Sequence, residues 1–293
     1  MLWGIYGMHM PHSLTIKGAL ACLLALALPA SAWSTTILGA AAPFTVLGGS
    51  TVTNTGPTAV YGDIGVAPGV AITGLDAMTL HGAASPSDAA AAMAHASAVA
   101  AGDYLSSLMF TQDLTGQDLG GMTLLAGIYR LSSSAQLTGT LFLDAQHDAD
   151  ALFVFQIGTS LTTAADSAVT VINGSADTGV FFDVGTSAVL GTGSQFAGNL
   201  IANESITMNT SARLLCGRAV ALNGAVTLDS NMLSNDCTAN SLGTASTDFD
   251  SQGFGGFAAA TNVPEPASVW MLFSGLAVIA AMRRRRAARF LAA

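Results

Sequence analysis

Lysine is almost missing from this chain of 293 residues. Lysine and arginine together number nine, 9% of residues are charged, and 7% are aromatic. Lys17 is the single lysine, and five arginines crowd the stretch from Arg283 to Arg289. Between Trp33 and Asn262 only Arg130, Arg213 and Arg218 face seventeen acidic residues, a formal charge of −14. Such a surface repels nucleic acid and anionic lipid, so neither is expected as a partner. The shortage of aromatics matters too. Half of the residues are hydrophobic, but many are Ala and Val, which suits a thin, repetitive core better than a large globular one.

The equipment of an enzyme is also scarce. No Gly-x-Ser-x-Gly, phosphate-binding loop or His-Glu-x-x-His occurs. His9 and His12 lie at the extreme N-terminus, and His81, His95 and His147 stand apart without partners at metal-ligand spacing. Asp144, Asp148 and Asp150 form the nearest carboxylate cluster; Asp148 and Asp150 read as a solvated loop, with a calcium site as the alternative. Acid/base work on a polysaccharide needs a better-furnished cluster. We therefore expect no catalysis, no cofactor and no metal.

Three cysteines occur. Cys22 falls in a leader, described next, which leaves Cys216 and Cys237 in an exported chain. That setting permits a disulfide between them, a staple where the last repeat ends; two free thiols are the alternative.

Both ends read as addresses rather than fold. Lys17, an apolar run from Gly18 to Leu28 and Pro29-Ala30-Ser31-Ala32 make a signal peptide cut after Ala32, with Met8 or Met10 a possible true start. At the other end stand Val263-Pro264-Glu265-Pro266, an apolar stretch from Ala267 to Met282, then Arg283-Arg284-Arg285-Arg286. The stretch is marginal for a span, and the arginines would hold the C-terminus in the cytoplasm. This order closely resembles the PEP-CTERM sorting tag of Gram-negative bacteria. The resemblance implies recognition of Pro264-Glu265-Pro266 by the membrane protease exosortase, with transient inner-membrane anchoring and then a secreted or cell-surface product. The expected organisation is a signal peptide over 1–32, a folded domain over 33–237, a Ser/Thr/Gly/Asn-rich tether over 238–262 and the sorting signal over 263–293.

Between the ends, Phe44 to Gly74 reads as short strands with Gly and Pro corners. An alanine-rich run predicts one helix from about Pro86 to Met109, with Ser85 as cap, Pro86 in the first turn and Asp88 against the helix dipole. Strands resume near Met122, too closely spaced for crossover helices, which excludes a doubly wound sheet. Apolar turns carrying hydroxyls recur: Leu137-Thr138-Gly139-Thr140, Leu161-Thr162-Thr163-Ala164, Leu190-Gly191-Thr192-Gly193, Met208-Asn209-Thr210-Ser211 and Leu228-Asp229-Ser230-Asn231. The leading residues lie 24, 29, 18 and 20 apart, an irregular period that suggests a solenoid of stacked coils. Stacking would put small hydroxyl side chains in a ladder along one flat face.

Several stretches then resemble a family of secreted microbial ice-binding proteins. They include Phe44–Thr58, Gly62–Val66, Leu131–Asp144, Phe153–Ile157 and Asn223–Asp229. The resemblance implies a mostly β fold, a right-handed discontinuous β-solenoid (β-helix) with one long α-helix packed along its side. It also implies that one flat face binds ice, often through a Thr-Ala/Gly-x-Thr/Asn motif. Inside the fold only Thr55-Gly56-Pro57-Thr58 fits that motif, and Thr138-Gly139-Thr140 and Thr163-Ala164-Ala165 match in part. Candidate ice contacts are Thr55, Thr58, Thr138, Thr140, Thr162, Thr163, Thr192, Thr207, Thr210 and Thr227. Expected partners are the ice crystal surface and the export and exosortase machinery, with membrane contact only through the tag. A surface adhesin or biofilm-matrix protein without ice affinity is the competing reading.

Overall fold

The computed structural model describes residues 36–148, 150–174 and 178–235. The signal peptide, tether and sorting signal expected above, and Cys237, lie outside them. The described chain is mostly β, with every strand pairing parallel and one long helix. From most strands of a nine-stranded sheet the chain enters a seven-stranded sheet, then an eight-stranded sheet, then the first again; the exceptions are Ala84–Pro86, which leads into the helix, and Gln112–Asp113, which leads straight to the eight-stranded sheet. Gly127–Leu131, Ala135–Leu137 and Thr140–Asp144 make one such coil; Leu152–Ile157, Leu161–Thr163 and Ala168–Ile172 make the next.

Spatial order departs from chain order at one place. In the seven-stranded sheet the strands run Ala135–Leu137, Leu161–Thr163, Ala188–Leu190, Ile206–Met208, Val226–Asp229, Thr51–Thr55 and Ala71–Thr73. The N-terminal coils therefore stack on the C-terminal coil. All three sheets cross this seam, with Val46 opposite Ala219, Thr53 opposite Thr227 and Val60 opposite Leu233. The helix, Ala89–Ser107, makes this order possible. It leaves the strand Ala84–Pro86 at one edge of the nine-stranded sheet and delivers the chain to Gln112–Asp113 at the other edge. Eight inter-strand steps of about 4.8 Å need about 38 Å. Nineteen helical residues supply about 28 Å, and the short extended stretch after them covers the rest.

The helix begins three residues later than expected. Asp88 is the cap, its side chain accepting the Ala91 N–H at 2.8 Å, whereas Ser85 and Pro86 belong to the preceding strand. That strand is at a sheet edge, where proline's missing N–H costs nothing. Ala91, Ala94, Ala98, Ala101 and Leu105 form the buried stripe, and the small alanines let the helix lie close on the sheet. Leu47, Val154, Phe181, Ile201 and Val220 point from the nine-stranded sheet into this layer. The same sheet sends Val46, Phe153, Phe155, Phe182 and Leu200 to the opposite side, into the core shared by the three sheets. It is thus buried on both faces, not on one, which is why Phe153-Val154-Phe155 shows so little alternation.

Stacking puts like on like inside the core. The rings of Phe155 and Phe182 lie 4.5 Å apart and nearly parallel, continued by Tyr129 on one side and Phe196 on the other. Arg218, in the last coil, is buried at the seam. Its Nε donates to the Ala42 carbonyl at 2.7 Å and its Nη1 to Asn199 Oδ1 at 2.9 Å. Burial pulls its pKa down to about 9, so the guanidinium stays charged at neutral pH. Cys216, in the same corner, is disulfide-bonded. Among the described residues this coil is the last in sequence, but it lies inside the stack because the first coils cover it, so a staple where the last repeat ends is not at an end of the stack.

Phe182→Ala should cost about 3–5 kcal/mol, because it opens the middle of the ring stack. Asp88→Ala should cost about 1 kcal/mol, the loss of one cap. Urea unfolding checks both, and equal losses would contradict this division between core and cap.

Candidate functional site

The outer face of the seven-stranded sheet is built by strands of three to five residues, and all but the edge strand Ala71–Thr73 contain an in-out-in run. In Leu161-Thr162-Thr163, Ile206-Thr207-Met208 and Val226-Thr227-Leu228 the first and third side chains are buried and the middle one faces outward. Parallel register aligns these middle residues with one another and, at the sheet edge, with Thr73, the last residue of its strand. The row runs Gln136, Thr162, Val189, Thr207, Thr227, Thr53, Thr73. Five of the seven are threonine and none is charged. Across the seam the hydroxyls of Thr53 and Thr227 meet at 3.4 Å.

Two rows flank it. Ser134, Ser160, Ser187, Ser205, Ala225, Thr51 and Ala71, one residue before the inward positions, form a row of small side chains. On the other side lie Thr138, Ala164, Gly191, Asn209, Asp229 and Thr55. Asp229, the acid on this edge, is half-buried and accepts hydroxyls from Thr210 and Ser230. The result is a band of aligned residues seven strands long, three residues wide over six of them.

The candidates separate by position. Thr162, Thr207 and Thr227 stand in the central row, and Thr55 and Thr138 along its edge. Thr192 and Thr210 are exposed on the corner leading to the eight-stranded sheet, and Thr140 is half-buried at the start of a strand in that sheet. Thr58 and Thr163 are corrections, being only 1% and 3% exposed. Thr163 pairs with Leu137, so it occupies an inward position, and its Oγ1 takes the Gly191 N–H at 2.8 Å. Gly191 is required there, since a Cβ would meet the Ala164 carbonyl at 2.5 Å. Thr58 turns inward because Thr55-Gly56-Pro57-Thr58 rounds a corner, with Gly56 at φ +74°. One threonine of that motif therefore reaches the surface. Thr51, Thr53 and Thr73 went unread in the sequence, as did the break at Val189.

An acidic side chain fixes one end of the band. Asp118 accepts the N–H groups of Gly120 and Thr138, each at 2.8 Å, and so fixes the Thr138 backbone. Burial works against its charge, but these hydrogen bonds prevail and hold its carboxyl below the usual range.

The other two faces differ. The eight-stranded sheet carries Phe142, Tyr61, His81, Met232 and Arg213 outward, an uneven and partly charged surface. Against the nine-stranded sheet and the end of the helix lies a groove of about 380 Å³ lined by residues including Asp103, Ser106, Gln156 and Asp183. Its polar groups secure the helix rather than face a ligand. Gln156 Nε2 donates to the carbonyls of Leu105 and Leu108, each at 2.8 Å, and Asp183 accepts the Ser106 hydroxyl at 2.6 Å. Among the described residues no group of three or more His, Cys, Asp or Glu could hold a metal ion.

Comparison with known proteins agrees with this geometry. Residues 46–234 match the ice-binding-like family, and residues 262–286 match the PEP-CTERM protein-sorting motif. An ice-binding protein of Nostoc sp. (strain HG1) is 52% identical over 208 residues, covering 71% of this chain and 77% of the relative. The structure is similar to that of an ice-binding protein from an Antarctic biological consortium, with TM-score 0.65, 38% identity, and coverage of 68% of this chain and 91% of the other. It is also similar to an ice-binding protein from the Antarctic ascomycete Antarctomyces psychrotrophicus, with TM-score 0.64, 39% identity, and coverage of 68% and 98%. The chain belongs to the ice-binding-like family.

Burial raises the pKa of Asp183, against the Ser106 hydrogen bond and with help from the nearby Asp103 charge. A raised folded-state pKa means that the fold favours the protonated acid. That contribution is full below the ordinary carboxylate range and is lost as pH rises through the folded value. Asp183→Asn should therefore gain stability relative to the parent as pH rises through this window. Unfolding free energies measured from acid to neutral pH check this, and parallel profiles would contradict it.

Proposed function

We propose that this chain is an exported protein that adsorbs to ice through the outward face of its seven-stranded sheet, restraining ice growth and recrystallisation. The observation that carries the reading is the uncharged row of Thr162, Thr207, Thr227, Thr53 and Thr73, with small neighbours on one side. Parallel strands repeat every 4.7–4.9 Å or so, near repeats of the ice lattice. Threonine offers a methyl that sheds water and a hydroxyl that donates and accepts. Its χ1 is stiff, so docking orders little that was free. Each hydrogen bond to ice replaces one to water and contributes little alone. A rigid plane presents many together, already ordered, and the cost of binding falls.

In this reading the domain is a right-handed discontinuous β-solenoid over residues 33–237. The fixed rotation through three parallel sheets supports it, and parallel crossovers are right-handed in about 98% of cases. Residues 1–32 direct export, 238–262 tether the domain, and 263–293 deliver it through an inner-membrane stage of a Gram-negative cell to exosortase. Pro264, Glu265, Pro266 and Arg283, Arg284, Arg285 and Arg286 are the residues read by that machinery. Cys216 bonds with Cys237. The function needs no enzyme activity and no cofactor.

Thr207→Tyr at the centre of the row should lower thermal hysteresis and recrystallisation inhibition roughly tenfold, as loss of a central contact does. Thr170→Tyr, on the eight-stranded sheet, should leave both unchanged, and Val189→Thr should raise them by completing the run. Equal effects of the two tyrosines would overturn the assignment of the face.

A further inference from the structure

The band of threonines is assembled across the seam. Thr227 comes from the last coil and Thr53 from the first, 174 residues earlier. Nothing local in the chain holds them level. At the corner beside the band, one residue touches three coils. Asn231 is 3% exposed. Its Nδ2 donates to the carbonyls of Asn209 at 2.9 Å and Ala212 at 3.0 Å, in the coil below. Its Oδ1 accepts the Asp229 N–H within its own coil. Its backbone N–H donates to Thr58 Oγ1 at 3.0 Å, in the N-terminal coil above.

Thr58 is the reciprocal half. It is buried, so its hydroxyl serves the seam rather than the surface. The backbone bonds on either side, Ser230 N–H to the Thr55 carbonyl and Ala59 N–H to the Asn231 carbonyl, flank the same point. Thr55 ends the strand that carries Thr53, and Asp229 ends the strand that carries Thr227. A shift at this corner is therefore passed straight to the register of the two central threonines.

We infer that Asn231 and Thr58 are a positioning pair for the ice-binding face. They fix the N-terminal coil against the last coil so that Thr53 and Thr73 continue the row of Thr207 and Thr227. This rests on the proposed ice-binding function; neither residue touches ice. Losing the Thr58 hydroxyl leaves a buried N–H without its acceptor, and the seam opens locally to solvate it. Opening at the seam divides one long row into two short ones.

The test uses the full chain as parent, Thr58→Val and Thr58→Ser. Native-state hydrogen exchange is read at the seam amides of Ala59 and Ser230 and at Gly185, a remote amide, alongside thermal hysteresis and melting temperature. Thr58→Val should speed exchange at Ala59 and Ser230 roughly tenfold while Gly185 keeps its rate, and hysteresis should fall with little change in melting temperature. Thr58→Ser keeps the oxygen and should restore both. Asn231→Asp, which removes the two Nδ2 donors, should reproduce the valine phenotype if Thr58→Val does not fold. Seam exchange that stays at parental rates, a uniform rise at all amides, or full hysteresis in an open-seam variant would overturn the inference. A parent that shapes no ice, while the seam amides respond as stated, would overturn the ice-binding reading itself.

Discussion

Parallel strand pairing between the first coils and the last is the constraint on which the molecule depends. Each coil alone is three short strands and three corners, with its apolar side chains open above and below. Stacking closes them, and the ring stack from Tyr129 to Phe196 shows how far like side chains repeat down the axis. The N-terminal coils can join only because the helix bridges the length of the nine-stranded sheet. Helix length, coil number and seam are thus one problem with one solution. The seam then carries buried polar groups, Arg218 at one corner and Asn231 with Thr58 at another.

The three sheets divide the work. The nine-stranded sheet is buried on both faces and gives rigidity. The eight-stranded sheet shows solvent a mixed surface. The seven-stranded sheet presents a central row of uncharged, regularly spaced side chains, most of them threonine. Flatness follows from short strands with in-out-in alternation, and regularity from parallel register; neither needs any special residue beyond threonine outside and an aliphatic inside. Membership of the ice-binding-like family agrees with this division, since the matched residues run through all three sheets.

Much of the fold was legible from residues. Alanine content gave the helix, and β-branched and aromatic runs gave the strands of the nine-stranded sheet. The seven-stranded sheet was harder. Ala135–Leu137, Leu161–Thr163, Ala188–Leu190 and Ile206–Met208 have three residues each, too few for a period to show, and they read as turns. The repeat beginning at Leu161 was also framed two residues early. Thr163 stands where its neighbours have Leu137 and Leu190, so a hydroxyl in an inward position disguised the register. Thr162, Thr207 and Thr227 could still be found, because each lies inside its own coil. Thr53 and Thr73 could not be joined to them, because that pairing skips most of the chain and only the seam discloses it.

The central claim is that ice meets the seven-stranded sheet and no other face. Solid-state NMR on protein adsorbed to ice tests it most directly, by reading magnetisation transfer from ice protons to threonine methyls. The account predicts strong transfer to Thr162, Thr207, Thr227, Thr53 and Thr73, and little to Thr140 and Thr170. Transfer spread evenly over all these threonines, or concentrated on the last two, would contradict it.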